Sequence, residues 1–112
     1  SSVIRKLWDN RQYGDSNQGD ANMRLYGRCG NFNQVYVYLD KVCPTLAGKE
    51  SCLVHFDQPK YLGASEVCCI SSFPQDYNFA GQSPHYVCGM SVPPLMIAQV
   101  ASHIWEQWLS KI

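Results

Sequence analysis

The sequence has no excess of charge of either sign: nine Lys and Arg offset nine Asp and Glu. No overall field therefore announces a nucleic acid or a membrane surface, although a few well-placed cations suffice to hold phosphates. No apolar run approaches membrane-span length, and no secretory h-region is present. No Cys-x-x-Cys pair supplies the usual zinc spacing. A nucleophile elbow is missing, so the neighbours His55 and Asp57 and the many serines do not make a hydrolase triad. No glycine-rich loop follows a strand to cradle phosphate. Repeats, low-complexity tracts and linkers are absent too.

What is present is 112 residues, enough for one modest core, as a single domain or a fragment of one. The start at Ser1-Ser2 without methionine leads us to expect a processed product or an excised part. Six cysteines (Cys29, Cys43, Cys52, Cys68, Cys69 and Cys88) sit scattered in mostly apolar surroundings. That pattern fits reduced thiols used as small core residues in an intracellular compartment. The rival reading is a cysteine-rich secreted domain, which a count of free thiols in the denatured protein separates. His85 and Cys88 alone are too few ligands for a metal, and none is expected.

Taken in order, residues 3–8 read as a short helix with Ser2 as a cap and Val3, Ile4, Leu7 and Trp8 as its apolar face. Residues 9–33 read as a long polar loop, anchored only by Leu25-Tyr26 and carrying Arg11, Arg24 and Arg28. Val35, Tyr36, Val37 and Tyr38 make residues 34–39 a strand. Pro44 keeps Cys43 extended, and residues 47–50 turn. Residues 51–56 form a second strand, with Cys52, Val54 and Phe56 opposite Ser51, Leu53 and His55. Residues 62–70 read as a helix with Val67, Cys68 and Ile70 inward, ended by the stretch 71–77.

The last quarter organises the rest. Gly89 allows a sharp turn, Ser91 caps, and Pro93-Pro94 suit a first helical turn. Ile97, Val100, Ala101, Ile104, Trp105, Trp108 and Ile112 then recur at three- and four-residue steps on a helix of about five turns. Periodicity asks only that this helix pack. Its N-terminus is also a place for a carboxylate or phosphate. The fold class is α+β, a small mixed domain with short strands, a short helix after Leu62 and a long C-terminal helix.

Three segments in fixed order carry a resemblance. Asp40-Lys41-Val42-Cys43-Pro44-Thr45-Leu46 resembles the ninth motif of cytosine-5 DNA methyltransferases, commonly Asp-Lys-Pro-x-Pro-Thr-Leu. Leu62-Gly63-Ala64-Ser65-Glu66, then Ile70 and Ser72-Phe73-Pro74-Gln75-Asp76-Tyr77, is similar to that family's Leu-Thr-x-x-Glu and Phe-Pro-Asp-Asp-Tyr signature. Gly89-Met90-Ser91-Val92-Pro93-Pro94 resembles its tenth motif, Gly-Asn-Ser-Val-Pro-Pro. The resemblance covers roughly residues 34–112.

It implies that residues 1–46 are the end of a target-recognition region with the ninth motif. Residues 47–112 then carry a strand, a helix, the tenth motif and the C-terminal helix. It also implies double-stranded DNA as partner, met by Arg24, Arg28 and Lys41, and a cofactor, S-adenosyl-L-methionine, walled by Gly89, Met90, Ser91 and Val92. The family's cofactor glycines, Pro-Cys-Gln nucleophile loop, Glu-Asn-Val motif and Arg-rich motif are missing here, so no catalytic residue is assigned. A catalytic large domain or subunit is the implied second partner. Four positions depart from the pattern. Met90 stands for asparagine, Tyr36 and Cys69 for arginine, and Gly63 for a capping threonine. The alternative is a non-catalytic DNA-binding or interaction module descended from such an enzyme. The wide stripe of the closing helix further leads us to expect self-association.

Overall fold

The computed structural model describes residues 2–112. Helix α1 (Ser2–Asp9) packs on α2 (Gln18–Tyr26), and strands β1 (Val35–Val37) and β2 (Leu53–His55) follow. Helices α3 (Ala64–Ile70) and α4 (Pro84–Met90) pack together, and α5 (Pro94–Gln107) runs on into a 3-10 turn, Leu109–Lys111. The molecule is thus mixed α+β with a long C-terminal helix.

The two strands pair in parallel, with Val35 opposite Leu53, Tyr36 opposite Val54 and Val37 opposite His55. A parallel pair needs a long crossover, and residues 38–52 supply it without a helix. Parallel strands are usually covered on both faces, and that corrects the expected alternation in β2. Val54 joins Tyr36 and Tyr38 in an aromatic cluster backed by Trp8 and Phe56. Leu53, on the face opposite Val54, is also buried, in the main core with Leu62, Val67, Cys68 and Cys88. Ile70, expected inward on α3, is exposed.

The loop expected over residues 9–33 contains a helix. Asn17 caps α2 by accepting from Gly19 N–H at 2.8 Å, and Asp20 returns the favour to Ser16 N–H at 2.7 Å and Asn17 N–H at 3.4 Å. This is a capping box built from Asn and Asp. Gly27 ends the helix at φ 65°, its N–H donating to Met23 O at 2.9 Å. Ala21, fully buried, and Asn22 are the face that α2 buries.

The closing helix is also shorter and more solitary than expected. Ser91 does not cap it. Its Oγ turns back to donate to Cys88 O at 3.2 Å, and Ser72 Oγ instead accepts from Leu95 N–H at 3.1 Å. Gly89 lies inside α4 rather than in a turn. α5 spans 14 residues and buries none of them; Trp108 is 70 % exposed. It packs extensively on nothing but the 3-10 turn that follows, and the molecule is drawn out to 61 × 32 × 22 Å.

Within the stretch Pro84–Lys111 an 18-residue window reaches a mean hydropathy of 1.3. Its backbone nevertheless breaks at Ser91 and Val92, between α4 and α5. The continuous helix of α5 is then about 21 Å long against about 30 Å of bilayer hydrocarbon.

Candidate functional site

A groove of about 910 Å³ opens between the crossover and the C-terminal helices. The 15-residue crossover after β1 forms one wall, through Lys41, Cys43, Pro44, Thr45 and Leu46. Helix α3 contributes Glu66, Cys69 and Ile70, which share a face at i, i+3 and i+4. The end of α4 and the start of α5 close it with Cys88, Gly89, Ser91, Pro93 and Met96.

What holds the walls together is a backbone contact. A Cβ on Gly89 would stand 2.8 Å from Gly48 N and 2.9 Å from the Ala47 carbonyl carbon. Glycine therefore serves close approach here, not a turn. The tenth-motif-like segment thus lies against the turn that directly follows the ninth-motif-like one.

The polar centre of the groove is the pair His55 and Glu66. Their Nε2 and Oε1 lie 2.9 Å apart. Gly63 N–H donates to Glu66 Oε2 at 2.7 Å, and Lys60 Nζ stands 3.4 Å from Oε1. The Gly63 bond, then His55 and Lys60, hold the Glu66 carboxyl below its usual range against the opposing effect of burial. Glu66 thus supplies the reciprocal half of a capping box, while Gly63 has no side chain for the other half.

Neither Cys43, in the groove wall, nor Cys68, beneath it, is primed for attack. Burial pushes the Cys43 thiol up, and burial followed by the neighbouring Cys88 does the same to Cys68. The groove offers a mostly apolar surface with the Glu66 carboxylate and the His55 imidazole at its centre and the Lys41 ammonium in its wall. Among the described residues no group of three or more His, Cys, Asp or Glu is placed to hold a metal ion.

The sequence-assigned residues divide. Lys41, Gly89 and Ser91 line the groove. Met90 and Val92 do not line it and are exposed, Met90 by 72 %. Lys41 also lies over two aromatic rings, 4.2 Å from the centroid of Tyr38 and 4.7 Å from that of Tyr13. Arg28 is exposed beside Tyr26, on a separate cavity of about 440 Å³.

Arg24 is committed elsewhere. It forks onto Asp15, with Nη1 to Oδ1 at 2.7 Å and Nη2 to Oδ2 at 2.6 Å, and Asp15 is almost buried. This bond, before all else, keeps the Asp15 carboxyl below its usual range. A lowered folded-state value means the stabilisation is present above the unfolded carboxylate range, near pH 4, and is lost as pH falls through the lower folded value. Arg24→Ala is expected to cost about 1–2 kcal/mol at pH 7, discounted for the partly exposed guanidinium, and less at pH 2–3. Urea denaturation at the two pH values checks this; equal losses at both would mean the carboxylate is not what Arg24 serves.

His55 lines the groove, although the sequence offers no reason to assign it a role there. Its signal is faint: it ends β2, opposite a helix whose Glu66 belongs to a recognised segment. Comparison with protein-family models, with curated proteins and with solved structures found no match to this chain.

Proposed function

We propose that this chain is the C-terminal DNA-recognition and cofactor-pocket-completing part of a DNA cytosine-5 methyltransferase, inactive without a catalytic large domain. The observation that carries the reading is the groove, which is lined by both segments resembling the ninth and tenth motifs, with Gly89 packed against Ala47 and Gly48 just after the former. The reaction served is methyl transfer to carbon 5 of a flipped cytosine, with the attacking thiolate supplied by the other domain.

S-adenosyl-L-methionine would supply the methyl group when bound. Toward it this chain offers one wall, not a pocket. Gly89 and Ser91 face the groove, Ser91 Oγ keeps acceptor capacity beyond its bond to Cys88 O, and Met90 and Val92 stay outside. Exposed Arg28 and Lys41 are the cations for DNA phosphate, while Arg24 serves Asp15. The free thiols suit a reducing, intracellular setting.

The test has two parts. Calorimetry on the chain alone should show no micromolar binding of S-adenosyl-L-methionine, and adding a large domain with a Pro-Cys-Gln loop should restore binding and methyl transfer. Arg28→Ala and Lys41→Ala should each flatten the salt dependence of DNA binding by about one unit of slope. Micromolar binding to the chain alone contradicts the one-wall reading, and unchanged slopes contradict the phosphate assignment. The exposed Met90, where the family pattern has asparagine, favours the alternative of a non-catalytic module. DNA binding that persists while no large domain restores transfer would select it.

A further inference from the structure

Helix α1 covers a cavity of about 200 Å³ that is separate from the groove. Strand register decides which side chains reach it. The bridge between Asn17 and Val35 turns Gln18 to the face opposite that pair, the face of Tyr36. Tyr36 pairs with Val54, and Val54 bridges to Tyr61, so Gln18, Val54 and Tyr61 share one side of the sheet. All three line the cavity, and Ile4, Arg5 and Trp8 of α1 close it. His55, next to Val54 on β2, lines the groove on the other side.

Gln18 is the anomaly on this face. It is 1 % exposed, yet neither its Nε2 nor its Oε1 has a hydrogen-bond partner. A buried amide unpaired at both atoms is costly, and buried polar groups in native proteins are as a rule satisfied. We propose that the cavity is a binding site for a nucleoside monophosphate whose base is held by Gln18. The amide presents a donor and an acceptor side by side, the pattern that pairs with the edge of a nucleobase. The volume lies below the about 300–1,000 Å³ of pockets for drug-sized molecules, so one heteroaromatic ring system fits and little more. Tyr61 is the ring on which the base stacks, because the Arg11 guanidinium already lies over Trp8, 3.4 Å from its ring centroid. Arg5 and Lys60 line the same cavity and meet the phosphate. Their present partners, Asp9 at 3.1 Å from Arg5 and Glu66 at 3.4 Å from Lys60, are solvent-exposed contacts that an anion displaces at small cost. An inorganic anion alone would leave the amide unpaired, and an uncharged base would leave both cations unused. Nucleotide binding here is independent of the methyltransferase reading.

Calorimetric titration of the full chain with each of the four common nucleoside monophosphates tests it, with ribose 5-phosphate as the control. At least one nucleotide is expected to bind with Kd below about 1 mM, and ribose 5-phosphate at least about tenfold more weakly. Gln18→Met keeps the bulk and removes the orphaned amide. It should weaken the nucleotide at least about tenfold and leave the unliganded protein no less stable to urea. Arg5→Gln should weaken the nucleotide and leave the matching nucleoside unchanged. No binding by any of the four at millimolar concentration overturns the proposal. So does ribose 5-phosphate binding as tightly as the nucleotide, which would make the cavity an anion site, and so does an affinity indifferent to Gln18→Met. A Gln18→Met protein that is clearly less stable than the parent also overturns it, because the amide would then be satisfied within the fold.

Discussion

Gly89→Val is expected to destabilise the protein by about 3 kcal/mol or more, at the upper end for overpacking of a tight site. Valine would drive its Cβ to within 2.8–3.0 Å of Gly48 N, Gly48 Cα and the Ala47 carbonyl carbon. All three are backbone atoms, so no side chain can rotate away. Relief requires α4 to part from the crossover, and that opens the groove whose walls the two segments make. Adjacent to Gly89, Cys88 is among the most buried residues of the main core, so the displacement would reach Leu53, Leu62 and Val67. Gly48→Ala makes the control, because a Cβ there meets Tyr86 Cδ2 at 3.5 Å and Tyr86 Cα at 3.7 Å, both ordinary contacts. Denaturation midpoints of the two variants decide the matter. Equal stabilities would mean that the crossover yields freely and that the groove is no fixed structure.

The elements that were legible in the sequence are those whose pattern is local. Val35 to Val37 declare a strand by composition, and α3 declares itself between Leu62 and the stop at residues 71–77. Helix α2 was hidden because its length is only nine residues and its composition, Gln, Gly, Asp, Ala and Asn, is that of a loop. Its caps were nonetheless written in the chain: Asn17 three residues before Asp20, and Gly27 just past the end. Non-local pairing leaves no such mark. Nothing near Leu53 says that β2 lies parallel to β1 with both faces covered, and so its burial beside Val54 was not foreseen.

For the site, the sequence offered the two groove-lining segments but not the reason for Gly89, which depends on a partner 41 positions away in the chain. His55 was missed for the same reason. Arg24 looked like a surface cation because the carboxylate that claims it, Asp15, lies in the preceding loop and not at helical spacing. The apolar stripe of α5 was legible as a pattern. Periodicity records which side is apolar and is silent on what covers it.

Tyr36→Phe is expected to stabilise the protein, and by an amount that grows with pH. The ring is 2 % exposed, set edge-on to Phe56 at 5.6 Å, and its hydroxyl has no hydrogen-bond partner. A buried hydroxyl without a partner has lost its water and gained nothing in return, so removing it should yield about 1 kcal/mol at neutral pH. Burial, reinforced by the charge of Asp15, pushes the ionisation of Tyr36 up to about 12, against the ordinary value of 10.0. The folded state therefore holds its proton over a range in which the unfolded chain releases it. A raised folded-state value means the stability is fully present below about pH 10 and falls by about 1.4 kcal/mol per unit as pH rises from there through about 12. The phenylalanine variant lacks this loss, so its advantage over the parent should widen by about 2 kcal/mol between pH 9 and pH 12. Tyr13 and Tyr38 also ionise late and remain in both proteins, so the difference isolates Tyr36. Urea denaturation of both proteins at pH 7, 9, 11 and 12 measures it. A variant less stable than the parent at pH 7, with a constant gap up to pH 12, would show that the hydroxyl is bonded and that the aromatic cluster admits water.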